Sequence, residues 1–171
     1  NDIWIWDLVR ETMQQLTNDP GLNRLPAWTP DGSRVAYSAE RDGQPEGIYW
    51  QAADGSGTPE RLSVGPSPQA PQSFSPDGQH LLFITPVSSS PFDLSVLSLD
   101  GARRESELLK AAPSEMNGEI SPDGRWLAYQ EGETARSQVF LVPFPDVTSR
   151  KLLVSTGPAT RPLAPTTAAA T

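Results

Sequence analysis

The chain has 171 residues, 36% hydrophobic and 20% charged, which is enough apolar material for one ordinary buried core. Its 13 Lys and Arg against 21 Asp and Glu give a formal charge of −8, which argues against a nucleic-acid surface, because phosphate binding is driven by basic groups. With no cysteine there is no disulfide, thiolate metal site or cysteine nucleophile, and no apolar run approaches the roughly 20 residues that span a bilayer.

Proline and glycine are abundant, at 18 and 13 residues, and their placement is periodic. At the N-terminus, which carries neither a basic nor an apolar leader pattern, Asp2–Leu8 reads as one strand and Glu11–Thr17 as the next. Three segments then align without a gap: Trp28-Thr-Pro-Asp-Gly32, Phe74-Ser-Pro-Asp-Gly78 and Ile120-Ser-Pro-Asp-Gly124, each 46 residues after the last. Proline fixes φ at the turn entry, aspartate accepts a backbone hydrogen bond and glycine tolerates positive φ.

Each turn follows a first strand that ends at Trp28, Phe74 or Ile120, positions expected to pack between blades. A second strand alternates apolar residues at Val35/Tyr37, Leu81/Phe83 and Leu127/Tyr129, a period of two that marks a packed face. The third strands are Ile48–Trp50, Leu94–Leu97 and Val139–Val142, and the fourth are Pro59–Ser63, Arg104–Leu109 and Arg150–Val154. Four short strands per repeat make the blade of a β-propeller.

The expected fold is therefore all-β, with blades of four antiparallel strands at about 22–63, 68–109 and 114–154 and a blade fragment at 1–17. Together they form a partial propeller over 1–156, and residues 157–171 read as a partial first strand and a low-complexity tail. Propellers close with about four to eight blades. Two arrangements satisfy that: an incomplete propeller whose missing part lies elsewhere, or half of a two-chain ring in which a homodimer completes the circle.

The repeated Ser/Thr-Pro-Asp-Gly turn, followed by strands ending in an aromatic (Val35-Ala36-Tyr37, Leu81-Leu82-Phe83, Leu127-Ala128-Tyr129), resembles the TolB-like, WD40-like (PD40) propeller repeat. With Asp2-Ile3-Trp4 and Arg150–Ser155 the wider wording is similar to propellers attached to bacterial serine/threonine protein kinases. The family also includes periplasmic translocation proteins and the lid propellers of prolyl-oligopeptidase-like hydrolases. The resemblance implies the fold directly, and function only through a site. It leans slightly toward a periplasmic or other extracytoplasmic place, while the composition leaves the compartment open, the cytoplasm included.

Chemistry is sparse. His80 is the only histidine, set on a strand opposite the side of Leu81, and no Gly-x-Ser-x-Gly elbow supplies a nucleophile. Asp31, Asp77 and Asp123 are expected to build their own turns rather than to gather a cation. No catalytic, cofactor or metal site is expected. The diverging loops between second and third strands emerge on one rim and supply the candidate binding residues Glu40, Arg41, Asp42, Glu46, Phe92, Glu131, Glu133 and Arg136. Trp4, Trp6 and Phe140 are candidate interface residues on blade faces.

The expected role is a noncatalytic binding module for another protein or for the missing part of its own propeller, as in extracytoplasmic sensing. The alternative is an accessory or gating propeller of a hydrolase whose catalytic domain is not in this chain.

Overall fold

A computed structural model of the chain describes residues 1–41, 43–63, 65–86, 92–109, 114–133, 136–155 and 157. Asp42 and the tail after Gly157 lie outside the described residues. A two-stranded sheet, β1 (Trp4–Asp7) and β2 (Thr12–Gln15), precedes three antiparallel sheets of four strands. The first holds β3 (Asn23–Trp28), β4 (Arg34–Ala39), β5 (Gly47–Ala52) and β6 (Glu60–Arg61). The second holds β7 (Ala70–Phe74), β8 (His80–Thr85), β9 (Asp93–Ser98) and β10 (Glu105–Glu107). The third holds β11 (Glu115–Ile120), β12 (Trp126–Glu131), β13 (Gln138–Pro143) and β14 (Leu152–Leu153). Each is a simple meander in chain order, and the fold is an all-β propeller segment.

The repeated turn shows why its residues recur. Gly32, Gly78 and Gly124 sit at φ 69°, 69° and 71° and donate back to the carbonyls of Thr29, Ser75 and Ser121. The hydroxyl at the head of each turn accepts the N–H of Arg34, His80 or Trp126 and donates to the aspartate two residues on. That aspartate also accepts the N–H of Ser33, Gln79 or Arg125. Hydroxyl, aspartate and glycine are thus all used within one hairpin. These bonds, led by the hydroxyl donors, hold the Asp31 and Asp123 carboxyls down at about 2 and lower Asp77 as well.

The core lies between blades. Ala27, Ala36, Ile48 and Leu62 of the first blade meet Phe74, Leu81, Phe83 and Leu97 of the second. Leu82 and Leu94 meet Ile120, Leu127, Tyr129 and Val142 across the next seam. Val35, Tyr37 and Tyr49 are covered by Ile3 and Leu16 of the two-stranded sheet. One hydrogen bond recurs at the seams. The N–H of Asn23, Gln69 or Glu115, at the head of an inner strand, donates to the carbonyl of Asn1, Glu46 or Phe92 in the preceding unit.

One expectation fails. Phe74 and Ile120 are 8% and 5% exposed, but Trp28 at the same repeat position is 50% exposed. The residues that cover Phe74 include Ala27 and Ala36, on the two inner strands of the preceding blade. Among the described residues, those before Trp28 form β1 and β2, which match the outer pair of a blade and leave its ring half exposed.

Candidate functional site

The connections β4–β5, β8–β9 and β12–β13 share a rim because every sheet is a meander of the same sense. The rim residues named from the sequence fall into three separate groups on it. Glu40 and Arg41 line a cleft of about 440 Å³ with Asp19, Pro20, Gly21 and Leu22. Arg41 pairs with Asp19 at 2.7 Å, donates to the Tyr37 hydroxyl at 3.1 Å and lies 5.2 Å from the centre of the Tyr49 ring. The close approach of the chain here requires glycine: a Cβ on Gly21 would stand 2.3 Å from the Glu40 carbonyl oxygen.

Glu46 and Phe92 meet in a second cleft of about 160 Å³, bounded also by Arg24, Leu25, Gln69 and Ile84. Arg24 binds Glu46 through two bonds, Nε to Oε1 at 2.7 Å and Nη2 to Oε2 at 2.6 Å. This fork, with the Ser38 hydroxyl also donating, lowers the Glu46 carboxyl and raises the guanidinium. Gln69 is 4% exposed; its Nε2 donates to Glu105, while its Oε1 is buried with no partner among the described residues. The cleft therefore combines an apolar wall with a fixed ion pair.

The third group is apart. Glu131 accepts from the Tyr129 hydroxyl at 3.2 Å and from the Lys151 ammonium, so it is tied into its own blade. Burial, and then this carboxylate, raise the Tyr129 hydroxyl above its ordinary value. Glu133 and Arg136 face each other through the backbone, Arg136 N–H to the Glu133 carbonyl at 2.8 Å.

The interface residues separate by their surroundings. Leu16, Leu62, Leu108 and Val154 donate to the carbonyls of Ile3, Ile48, Leu94 and Val139, which fixes the third-strand register in every unit. Trp4 is thereby equivalent to Tyr49 and Phe140, and Trp6 to Gln51, Leu97 and Val142. Tyr49 and Leu97 are 7% and 0% exposed against a preceding unit, whereas Trp4 and Trp6 are 50% and 53% exposed. Phe140 is half-buried beside Tyr129, with the Lys151 Nζ 4.1 Å from its ring centre, and so belongs to a seam inside the chain.

The opposite rim carries a cleft of about 610 Å³ between Thr29, Asp31, Arg34, Trp50, Phe74 and Asp77. Its polar groups are engaged: Arg34 lies 4.2 Å over the Trp50 ring, whose Nε1 donates to Glu60 at 2.8 Å, and both aspartates serve their turns. His80 stands 5.7 Å edge-on to Phe144 in the second seam. Among the described residues no three His, Asp or Glu gather as metal ligands, and no helix is long and apolar enough to cross a membrane.

Sequence reading overlooked Arg24, Asp19 and Gln69. A signal existed for one of them: Asn23, Gln69 and Glu115 form a polar column at the 46-residue spacing, all buried.

The family model of the TolB β-propeller domain (PD40) matches residues 1–164. The chain belongs to the TolB β-propeller family. The Tol-Pal system protein TolB of Wolinella succinogenes is 26% identical over 148 residues, 83% of this chain and 34% of that protein. The crystal structure of TolB from Acinetobacter baumannii superposes with a TM-score of 0.71 at 21% identity, over 89% of this chain and 37% of that one. The tricorn protease is similar in fold alone, with a TM-score of 0.66 at 12% identity over 96% of this chain and 20% of that one. The chain thus spans about a third of the length of its curated TolB relative.

Proposed function

We propose that this TolB-family segment acts without catalysis, by binding another protein on the β4–β5 and β8–β9 side of the propeller, outside the cytoplasm. The observation that carries the reading is the cleft of Arg24, Glu46, Gln69 and Phe92. An apolar wall beside a fixed charged fork suits an apolar side chain flanked by polar main chain, as a polypeptide supplies. The relatives' membership of the Tol-Pal system agrees with a role in a protein assembly. Sensing at the cell envelope is the form of that role we favour. A homodimer closing the ring remains a second form, tested by solution mass against the 18.5 kDa chain.

A photo-crosslinking residue at Phe92 tests the rim. It should capture one defined protein in cells, Arg24→Glu should abolish the capture, and the same probe at Pro30 on the opposite rim should give none. Equal capture from both rims, or capture indifferent to Arg24→Glu, refutes the assignment. Hydrolysis that falls on changing Glu131 or Glu133 would refute the noncatalytic reading.

A further inference from the structure

The three four-stranded blades share one scheme and part company at one seam position. Tyr37, Phe83 and Tyr129 are matched on the second strands and stand opposite Tyr49, Ser95 and Phe140 on the third. Opposite these in turn, the fourth strands place Arg61, Glu107 and Leu153. Two residues earlier in the chain come Pro59, Glu105 and Lys151. In the first and third blades the position holds a ring with a cation over it. Arg41 and Arg61 lie 5.2 and 5.7 Å from the centre of the Tyr49 ring, and the Lys151 Nζ lies 4.1 Å from that of Phe140. The second blade inverts the scheme: serine replaces the ring, and glutamate takes both fourth-strand positions that carry a cation in a sister blade.

A cavity of about 240 Å³ opens at that position, lined by Gln69, Phe83, Asp93, Ser95, Glu105 and Glu107. The second blade, whose strands line it, is complete in this chain. Glu105 is held in place, since its carboxylate accepts the Gln69 Nε2 at 2.8 Å and the Gly65 N–H at 3.4 Å. The Gln69 side chain is thereby directed into the cavity; the residue is 4% exposed, and its Oε1 meets no donor among the described residues. Carboxylates beside an amide oxygen and an aromatic floor are the complement of a cation on an aliphatic stem.

We infer that this cavity receives a lysine or arginine side chain of a partner polypeptide, which brings from outside the cation that the first and third blades carry themselves. The stem takes the space over Ser95 that a ring fills in the sister blades, and the head meets Glu105 and Glu107. The chain's formal charge of −8 favours the approach of a basic segment. The inference rests on the reading of the chain as a protein-binding module and adds the partner's chemistry; its cavity is distinct from the cleft of Arg24 and Glu46, with Gln69 shared between them.

The probes are the capped tripeptides Gly-Arg-Gly and Gly-Lys-Gly, with Gly-norleucine-Gly as the uncharged control, titrated into the intact chain up to about 10 mM because so few contacts give millimolar affinity. At least one basic tripeptide should shift the amide resonances of Ser95 and Glu107 saturably, and the control should not. Glu107→Gln, at an exposed position, should weaken binding about fivefold or more. Ser95→Tyr, which restores the ring of the first blade, should abolish it; a melting curve shows whether that variant is folded, and Glu107→Gln decides alone where it is not. Arg24→Glu should leave tripeptide binding unchanged while it abolishes capture at Phe92, so the two sites fail separately. No saturable shift from either basic tripeptide, equal binding of the control, or indifference to Glu107→Gln overturns the inference. Loss of the shifts in Arg24→Glu also overturns it, by placing the cation at the other cleft.

Discussion

Gly118 sits on the inner strand β11, facing the seam between the second and third blades. A Cβ built there would stand 3.0 Å from both Cδ1 and Cδ2 of Leu94 and 3.3 Å from Cδ1 of Leu82. Carbon atoms in contact prefer about 3.5–4.0 Å, so the methyl of alanine intrudes by several tenths of an ångström. Neither leucine has room to yield, since both are 0% exposed and belong to the cluster of Ile120, Leu127, Tyr129 and Val142. Two effects oppose each other in Gly118→Ala. Restricting the unfolded chain favours the variant by about 0.4–1 kcal/mol, while overpacking a filled core costs about 1–3 kcal/mol. Overpacking should prevail, with a net loss of about 1–2 kcal/mol in urea unfolding at an unchanged m-value. Leu94→Val shortens the obstructing side chain, so in the double variant the losses should fall short of additivity by about 0.5 kcal/mol or more. Gly118→Ala at or above wild-type stability, or strict additivity with Leu94→Val, would show that the seam is loosely packed and that the distances do not govern its energetics.

Two further outcomes follow from the turns and the rim. Gly21→Ala must displace main chain, because its Cβ would meet the Glu40 carbonyl oxygen at 2.3 Å; a loss of about 2 kcal/mol or more is expected in urea melts, and an unchanged midpoint would refute the close approach. The turn aspartates set an acid limit. Asp31 and Asp123 titrate near 2 and Asp77 is lowered, chiefly by the hydroxyl donors Thr29, Ser121 and Ser75. A depressed folded-state pKa gives stability that is complete above the unfolded value of about 3.9 and lost as pH falls toward the folded value. Unfolding midpoints should drop between about pH 4 and pH 2, and the combined Asp→Asn variant should flatten that limb; an unaltered slope would assign the acid limit to other carboxylates.

The strands and turns were legible because they depend on neighbours in sequence. Period-two alternation located β4, β8 and β12, and the bond set from Thr29 to Arg34, repeated from Ser75 to His80 and from Ser121 to Trp126, closes within six residues. The rim cleft was only half legible. Glu46 and Phe92 stood out as loop residues, but Arg24 reaches Glu46 across 22 positions and Gln69 reaches Glu105 across 36. The bulge that sets Leu25 at φ 55° has no marker in composition, since the matched Asn117 has a similar φ while Pro71 between them does not.

Trp28 carries the most general point. Its sequence context matches those of Phe74 and Ile120 at every turn residue, and on pattern alone all three belong in the core. Pattern specifies which face a side chain takes, and burial depends on what stands opposite that face. Phe74 and Ile120 have the inner strands of a preceding blade across from them, and Trp28 has the open side of β1. The same contrast separates Trp4 from Tyr49 and Phe140. In a repeat fold, a position that departs in burial from its own equivalents reports what stands across the seam and not a change in the pattern of its own strand.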